Sequence, residues 1–168
     1  MTSAPACRVH QATRDDIPTL IELMAEFYAE SDFPLPTANA RHAFEHLLSD
    51  PTLGGVWIAT TDEGAVGYVV LAVAFGMEYG GLRGFIDDLF VRPSARGRGI
   101  ANALLEAMTA DCVARGVRAL NVEVGPDNDA ARRVYPADFF AQGTPIEIRA
   151  QGPQPGDINR RTTHIRIK

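Results

Sequence analysis

Apolar positions along this chain recur with two periods, and the switches between them fall at turn-forming residues. A short run at 8–12 predicts a first strand. Ile17, Leu20, Ile21, Met24, Phe27 and Tyr28 then share one helical face. Proline is tolerated in a first turn but not in a helix interior, so Pro18 sets the helix start near Asp15. Beyond a breaker-rich loop at 31–36, Ala40, Phe44, Leu47 and Leu48 mark a second helix over 38–49. Residues 56–61 and 66–75 read as strands joined at Asp62-Glu63-Gly64, a hairpin signal. A loop at 76–81 leads into a strand at 82–91. Ile100, Ala103, Leu104, Ala107, Met108 and Cys112 return to helical spacing over 99–115, and Gly116 is the stop.

Residues 117–124 form a strand with Leu120, Val122 and Val124 alternating against Asn121 and Glu123. Asp127 or Asn128 caps a short helix that ends by Tyr135, because Pro136 disfavours helical geometry in the residue before it. Strands at 139–149 and 162–167 flank a polar Gly/Pro connection at 152–157. No internal repeat or linker interrupts the pattern. It predicts a single α/β domain over 1–168, with 1–6 as a flexible N-terminus and helices on both faces of a mixed sheet.

Composition narrows the function classes. At 168 residues, with 46% hydrophobic and 22% charged residues, the chain suits one globular core. A net charge of −5 argues against a nucleic-acid surface, which needs a basic stripe. Cys7 and Cys112 form no CxxC pattern, and the first residues lack the apolar core of a signal peptide. No window reaches the length of a membrane span. The expectation is a cytoplasmic protein without membrane or nucleic-acid partners.

The arginines are local rather than general. Leu89-Phe90-Val91 stops at Pro93 and passes into Ser94-Ala95-Arg96-Gly97-Arg98-Gly99-Ile100-Ala101, which opens the 99–115 helix. The first turn of a helix has backbone N–H groups with no intrahelical acceptor and a partial positive charge. Gly97 and Gly99 allow an anion to approach them, and Arg96 and Arg98 add guanidinium donors suited to phosphate oxygens. The pattern is that of a pyrophosphate cradle. A dinucleotide fingerprint fails because Asn102 stands at its third small position, and a nucleotide P-loop fails because no Gly-Lys-Ser/Thr follows.

Arg96-x-x-Gly99-x-Ala101, entered from Leu89-Phe90-Val91-x-Pro93, resembles the acyl-coenzyme-A-binding loop of the Gcn5-related N-acetyltransferases. Asn128-x-x-Ala131-x-x-x-Tyr135 is similar to the second signature of that family, and the order of elements fits over roughly residues 8–149. The resemblance implies a twisted, mostly antiparallel mixed sheet of about seven strands with about four helices. It implies acetyl-coenzyme A as acyl donor, held by Leu89, Phe90, Val91, Arg96, Gly97, Arg98, Gly99, Ile100, Ala101 and Asn128, and a primary amine as acceptor. In the family the strand before the loop carries a bulge, where a backbone N–H can face the developing oxyanion. Adjacent acidic residues there are similar to those of small-amine and diamine acetyltransferases. Many relatives form dimers, so a homodimer is compatible with the resemblance.

Asp87 and Asp88 stand in an otherwise apolar strand, one on each face, so at least one approaches the core or the cleft. Either could be tied structurally to backbone N–H groups or an arginine, or could bind or deprotonate an amine. Asp87 is the stronger candidate by position. Tyr135 is the candidate acid for the departing thiolate, since a phenol can hydrogen-bond or protonate it. Here the chain departs from the family, placing Pro136 and Phe139-Phe140 where a Gly-Phe pair usually follows. Asn128 serves either the pantetheine arm or the helix cap. Asp88, Phe33 and Glu78 are the candidate acceptor-binding residues. Glu30, Asp32, Glu78 and Asp87 would favour a cation between the loops at 31–36 and 76–81. His42 and His46 are four apart on a helix without a third ligand, so no metal is expected. The alternatives are an acyl-coenzyme-A-binding module without transfer, and an acetyltransferase for protein or peptide amines.

Overall fold

The apolar face of the first helix meets its partner on the sheet. A computed structural model describes residues 7–30, 34, 36–122 and 146–147. Strand β1 (Arg8–Gln11) leads to a 3-10 turn at Arg14–Asp16 and then to helix α1 (Ile17–Glu30), with Pro18 inside the first turn. The backbone N–H of Thr13 donates to the Asp16 carboxylate at 2.8 Å, satisfying one group at the helix entry. Helix α2 (Thr37–Ser49) follows, then strands β2 (Gly54–Thr61), β3 (Gly64–Gly76) and β4 (Gly81–Val91). A 3-10 turn at Pro93–Ala95 precedes helix α3 (Ile100–Arg115), and β5 (Ala119–Val122) and β6 (Ile146–Glu147) complete the described elements.

The six strands lie in sequence order β1 to β6 in one sheet. The first four are antiparallel, while β4–β5 and β5–β6 are parallel. Helices cover both faces. Ile17, Leu20 and Leu23 of α1 and Phe44 of α2 pack on Val56, Ile58, Tyr68, Val70 and Phe90. On the other face Leu104, Leu105, Met108 and Cys112 of α3 pack on Val69, Leu71, Ile86, Leu120 and Val122. The mixed α/β fold is as expected; among the described residues it holds six strands and three α-helices. The expected N-terminus at 1–6, short helix ending at Tyr135 and last strand at 162–167 lie outside the described residues. The strand expected at 139–149 is described only at Ile146–Glu147.

One irregularity in β4 positions everything that follows. Val70 pairs with Asp88 but the next residue, Leu71, pairs with Ile86, so Asp87 is an extra residue in β4. This is a β-bulge, and it inverts the alternation of faces. Leu82 and Ile86 face α3 before it, and Leu89 and Val91 face α3 after it. Phe90 therefore joins the α1–α2 core, and Asp88 points to the same side.

Candidate functional site

The turn between β4 and α3 carries its two glycines directly before the helix. Gly97 and Gly99 adopt φ of 74° and 76°, a left-handed conformation that costs other residues energy. A Cβ at either position would meet nothing within 4 Å, so the conformation, not crowding, selects glycine, and the space before the turn is open. Gly99 caps α3 and its carbonyl accepts the first helical bond, from Ala103 N–H at 3.0 Å. The amides of Ile100, Ala101 and Asn102 precede that bond and have no helical acceptor. These residues fit a diphosphate.

The arginines around this turn divide by partner. Arg92 grips Glu26 of α1 with Nε and Nη2 at 2.7–3.2 Å and donates Nη1 to the Ala65 carbonyl at 2.7 Å. Arg96 grips Glu30 with Nη2 at 2.7 and 2.9 Å, while its Nε donates to the Val91 carbonyl at 2.8 Å. The Arg96 side chain is thus turned to α1, and the same contact engages Glu30, one of the acids expected to favour a cation. Arg98 is exposed, and its side chain makes no hydrogen bond or ion pair with the described residues.

The outer edge of β4 leads into this turn. Its described pairing with β5 runs from Arg83–Ala119 to Ile86–Val122. Among the described residues no strand pairs with the outer edge of Leu89, Phe90 and Val91. Leu89 is half-buried, while Phe90 and Val91 are buried. Deeper in the sheet, the buried Asn121 amide donates to the Gly84 carbonyl at 3.2 Å and ties β5 to β4.

The two aspartates at the bulge differ in exposure. Asp87 is exposed, whereas Asp88 is 8% exposed and accepts from the Tyr68 hydroxyl at 2.9 Å. A second hydrogen bond joins Asp88 to Tyr28 of α1. Burial pushes the Asp88 carboxyl up from 3.8 to about 7; the Tyr68 and Tyr28 hydrogen bonds oppose the rise and the Asp87 charge adds to it. Both phenols are also raised, by burial first and then by the carboxylate charges. Helical spacing puts Tyr28 with the core, and Tyr68 stands within a continuous apolar run. A tyrosine buried between apolar neighbours needs a partner for its hydroxyl, and that was the readable signal.

Glu78 is exposed in the turn between β3 and β4, beside Met77, which is 87% exposed. Phe33, Asn128 and Tyr135 lie outside the described residues. His42 and His46 are exposed on α2, and among the described residues no three His, Cys, Asp or Glu side chains group to hold a metal. No helix among the described residues is long and apolar enough to cross a membrane.

Comparison with known proteins gives this arrangement a family. The acetyltransferase (GNAT) family matches residues 17–139, well over half of the chain. An acetyltransferase of Yersinia enterocolitica is 43% identical over 67 residues, which are 39% of this chain and 48% of that protein. The chain therefore spans about half the length of the curated relatives it matches. An integron cassette protein from the mobile metagenome of a salt marsh is 50% identical, with a TM-score of 0.65 over 67% of this chain and 74% of its own. An aminoglycoside N-acetyltransferase in complex with coenzyme A shares the fold at 18% identity, with a TM-score of 0.72 over 93% and 99% of the two chains. The chain belongs to the acetyltransferase (GNAT) family.

Proposed function

We propose that this protein transfers the acetyl group of acetyl-coenzyme A to a primary amine of a small cationic molecule. The observation that carries the reading is the run from the outer edge of β4, which no described strand pairs past Ile86, through the open Gly97–Gly99 turn, to the bare amides that begin α3. Such an edge can pair with the amides of a pantetheine arm as another strand would. The turn and the exposed Arg98 can take the diphosphate. An alkylammonium must lose a proton before it attacks, and the exposed carboxylate of Asp87 at the bulge would attract it. A backbone N–H at the bulge can face the oxyanion, an interaction worth roughly 3–4 kcal/mol where its removal has been measured. Tyr135 is the proposed donor to the departing thiolate, with Asn128 on the arm and Phe33, Glu78 and Asp88 toward the acceptor.

Release of free thiol from acetyl-coenzyme A, measured over diamines, aminoglycosides and peptide N-termini, tests the reading. Turnover with small polycations supports it. Turnover with peptides alone moves the acceptor class to proteins. Tight coenzyme A binding by calorimetry without thiol release for any amine makes the chain a binding module. Tyr135→Phe is expected to lower turnover more than donor affinity.

A further inference from the structure

The two adjacent carboxylates at the strand bulge both act on Tyr28, but they differ in exposure. Asp87 is solvated. Asp88 is enclosed, with the fully buried Tyr68 hydroxyl on Oδ2 at 2.9 Å and the Tyr28 hydroxyl bonded to it from α1. Of these two phenols only Tyr28 is partly exposed. Tyr28 stands two residues before the end of α1, where the chain enters the loop expected to line the acceptor, and it lies within the field of both carboxylates. Among the described residues, the charged and titratable groups acting on Asp88 are Tyr68 from β3, Tyr28 from α1 and Asp87 from β4 itself. Tyr28 is therefore the described link between a buried base and the surface.

Resting on the acetyltransferase reading, we propose that Tyr28 and Asp88 are the proton outlet for the acceptor, leaving Asp87 to hold its charge in place. The ammonium N–H bond breaks, its electron pair stays on nitrogen, and the proton forms a new bond to Tyr28 Oη. In the same step the Tyr28 hydroxyl proton passes to the Asp88 carboxylate, so that a neutral amine and a neutral carboxylic acid result. After acetyl transfer the acid returns its proton to water through Tyr28 by the reverse path, which accounts for the one proton the overall reaction releases. Tyr68 is a positioning residue that holds the carboxylate from behind. A base titrating close to the working pH is well matched to such a transfer, and burial supplies that match here.

The test is thiol release with 1,4-diaminobutane and acetyl-coenzyme A across pH 5.5 to 10, on the full chain. The wild type should lose kcat/KM below an acidic limb near pH 7. Tyr28→Phe should lower kcat/KM at neutral pH by about 100-fold, with recovery as the amine neutralises itself at high pH. Asp88→Asn should erase the limb and leave a rate that climbs steadily with pH. Tyr68→Phe should move the limb upward, because the carboxylate loses a donor. Variants whose pH profiles superimpose on the wild type, or that change only in melting temperature, overturn the relay and leave the acetyltransferase reading intact. A wild type that binds coenzyme A but releases no thiol with the diamine at any pH overturns the small-cation reading, and the relay with it.

Discussion

Asp88→Asn should make the protein more stable at pH 8 while disabling it. In the fold the Asp88 carboxyl titrates at about 7, against 3.8 when free. Between these values the folded chain holds a proton that the unfolded chain has lost. Stability therefore falls as pH rises from about 4 to about 7, and the fall is complete above the folded value. The interval corresponds to about 4 kcal/mol by pH 8. Asparagine carries no charge to bury, and its carbonyl can still accept from Tyr68. Its amide cannot accept from Tyr28, which returns about 1 kcal/mol of the gain. The expected net stabilisation at pH 8 is about 3 kcal/mol, or roughly 10 °C in melting temperature for a chain of this size. At pH 4, where the buried carboxyl is neutral, the variant should be the less stable by up to about 1 kcal/mol. Urea unfolding at both pH values, followed by circular dichroism, reads this directly. Parallel pH dependence in the two proteins, or a variant less stable at pH 8, would refute the assignment of an ionised, poorly solvated Asp88.

Other expectations follow from the turn and the sheet. Gly99→Glu adds a side chain at φ 76° and a like charge where phosphate would lie, so calorimetry should detect no coenzyme A binding; unchanged affinity would remove the cradle. Arg98→Ala should weaken coenzyme A binding by about tenfold, in line with loss of one charge-assisted contact, whereas Arg96→Ala should act mainly on stability through Glu30 and Val91. Equal losses of affinity from the two would mean that Arg96 leaves Glu30 for the ligand. Gly67→Ala puts a Cβ 2.5 Å from the Phe90 carbonyl, so β3 and β4 must part and little folded protein should be recovered; a wild-type melting temperature would contradict the register.

Much of the fold was legible because each element carried its own punctuation. Pro18 marked the first turn of α1, Gly99 and Gly116 bracketed α3, and Asp62-Glu63-Gly64 closed the β2–β3 hairpin. The bulge was written in β4 too. Leu82, Gly84 and Ile86 step by two, and the next residues on that face, Leu89 and Val91, resume after a step of three. An even strand over 82–91 would put the two aspartates on opposite faces, whereas the step of three leaves both off the α3 face. Tyr68 gave no period to read, since 66–71 is buried on both sides of the sheet. The partners of Arg92 and Arg96 are 66 residues away, a distance over which charge pattern carries no register.

Those two forks have a mechanical meaning. Glu26 and Glu30 are one helical turn apart, and their partners are likewise four residues apart across the 3-10 turn. A single clasp would let α1 swivel about it; a matched couple resists both rolling and sliding. The end of α1 and the ribbon leading to α3 are thereby geared together, so displacement of either drags the other, and concentrated salt should slacken both at once.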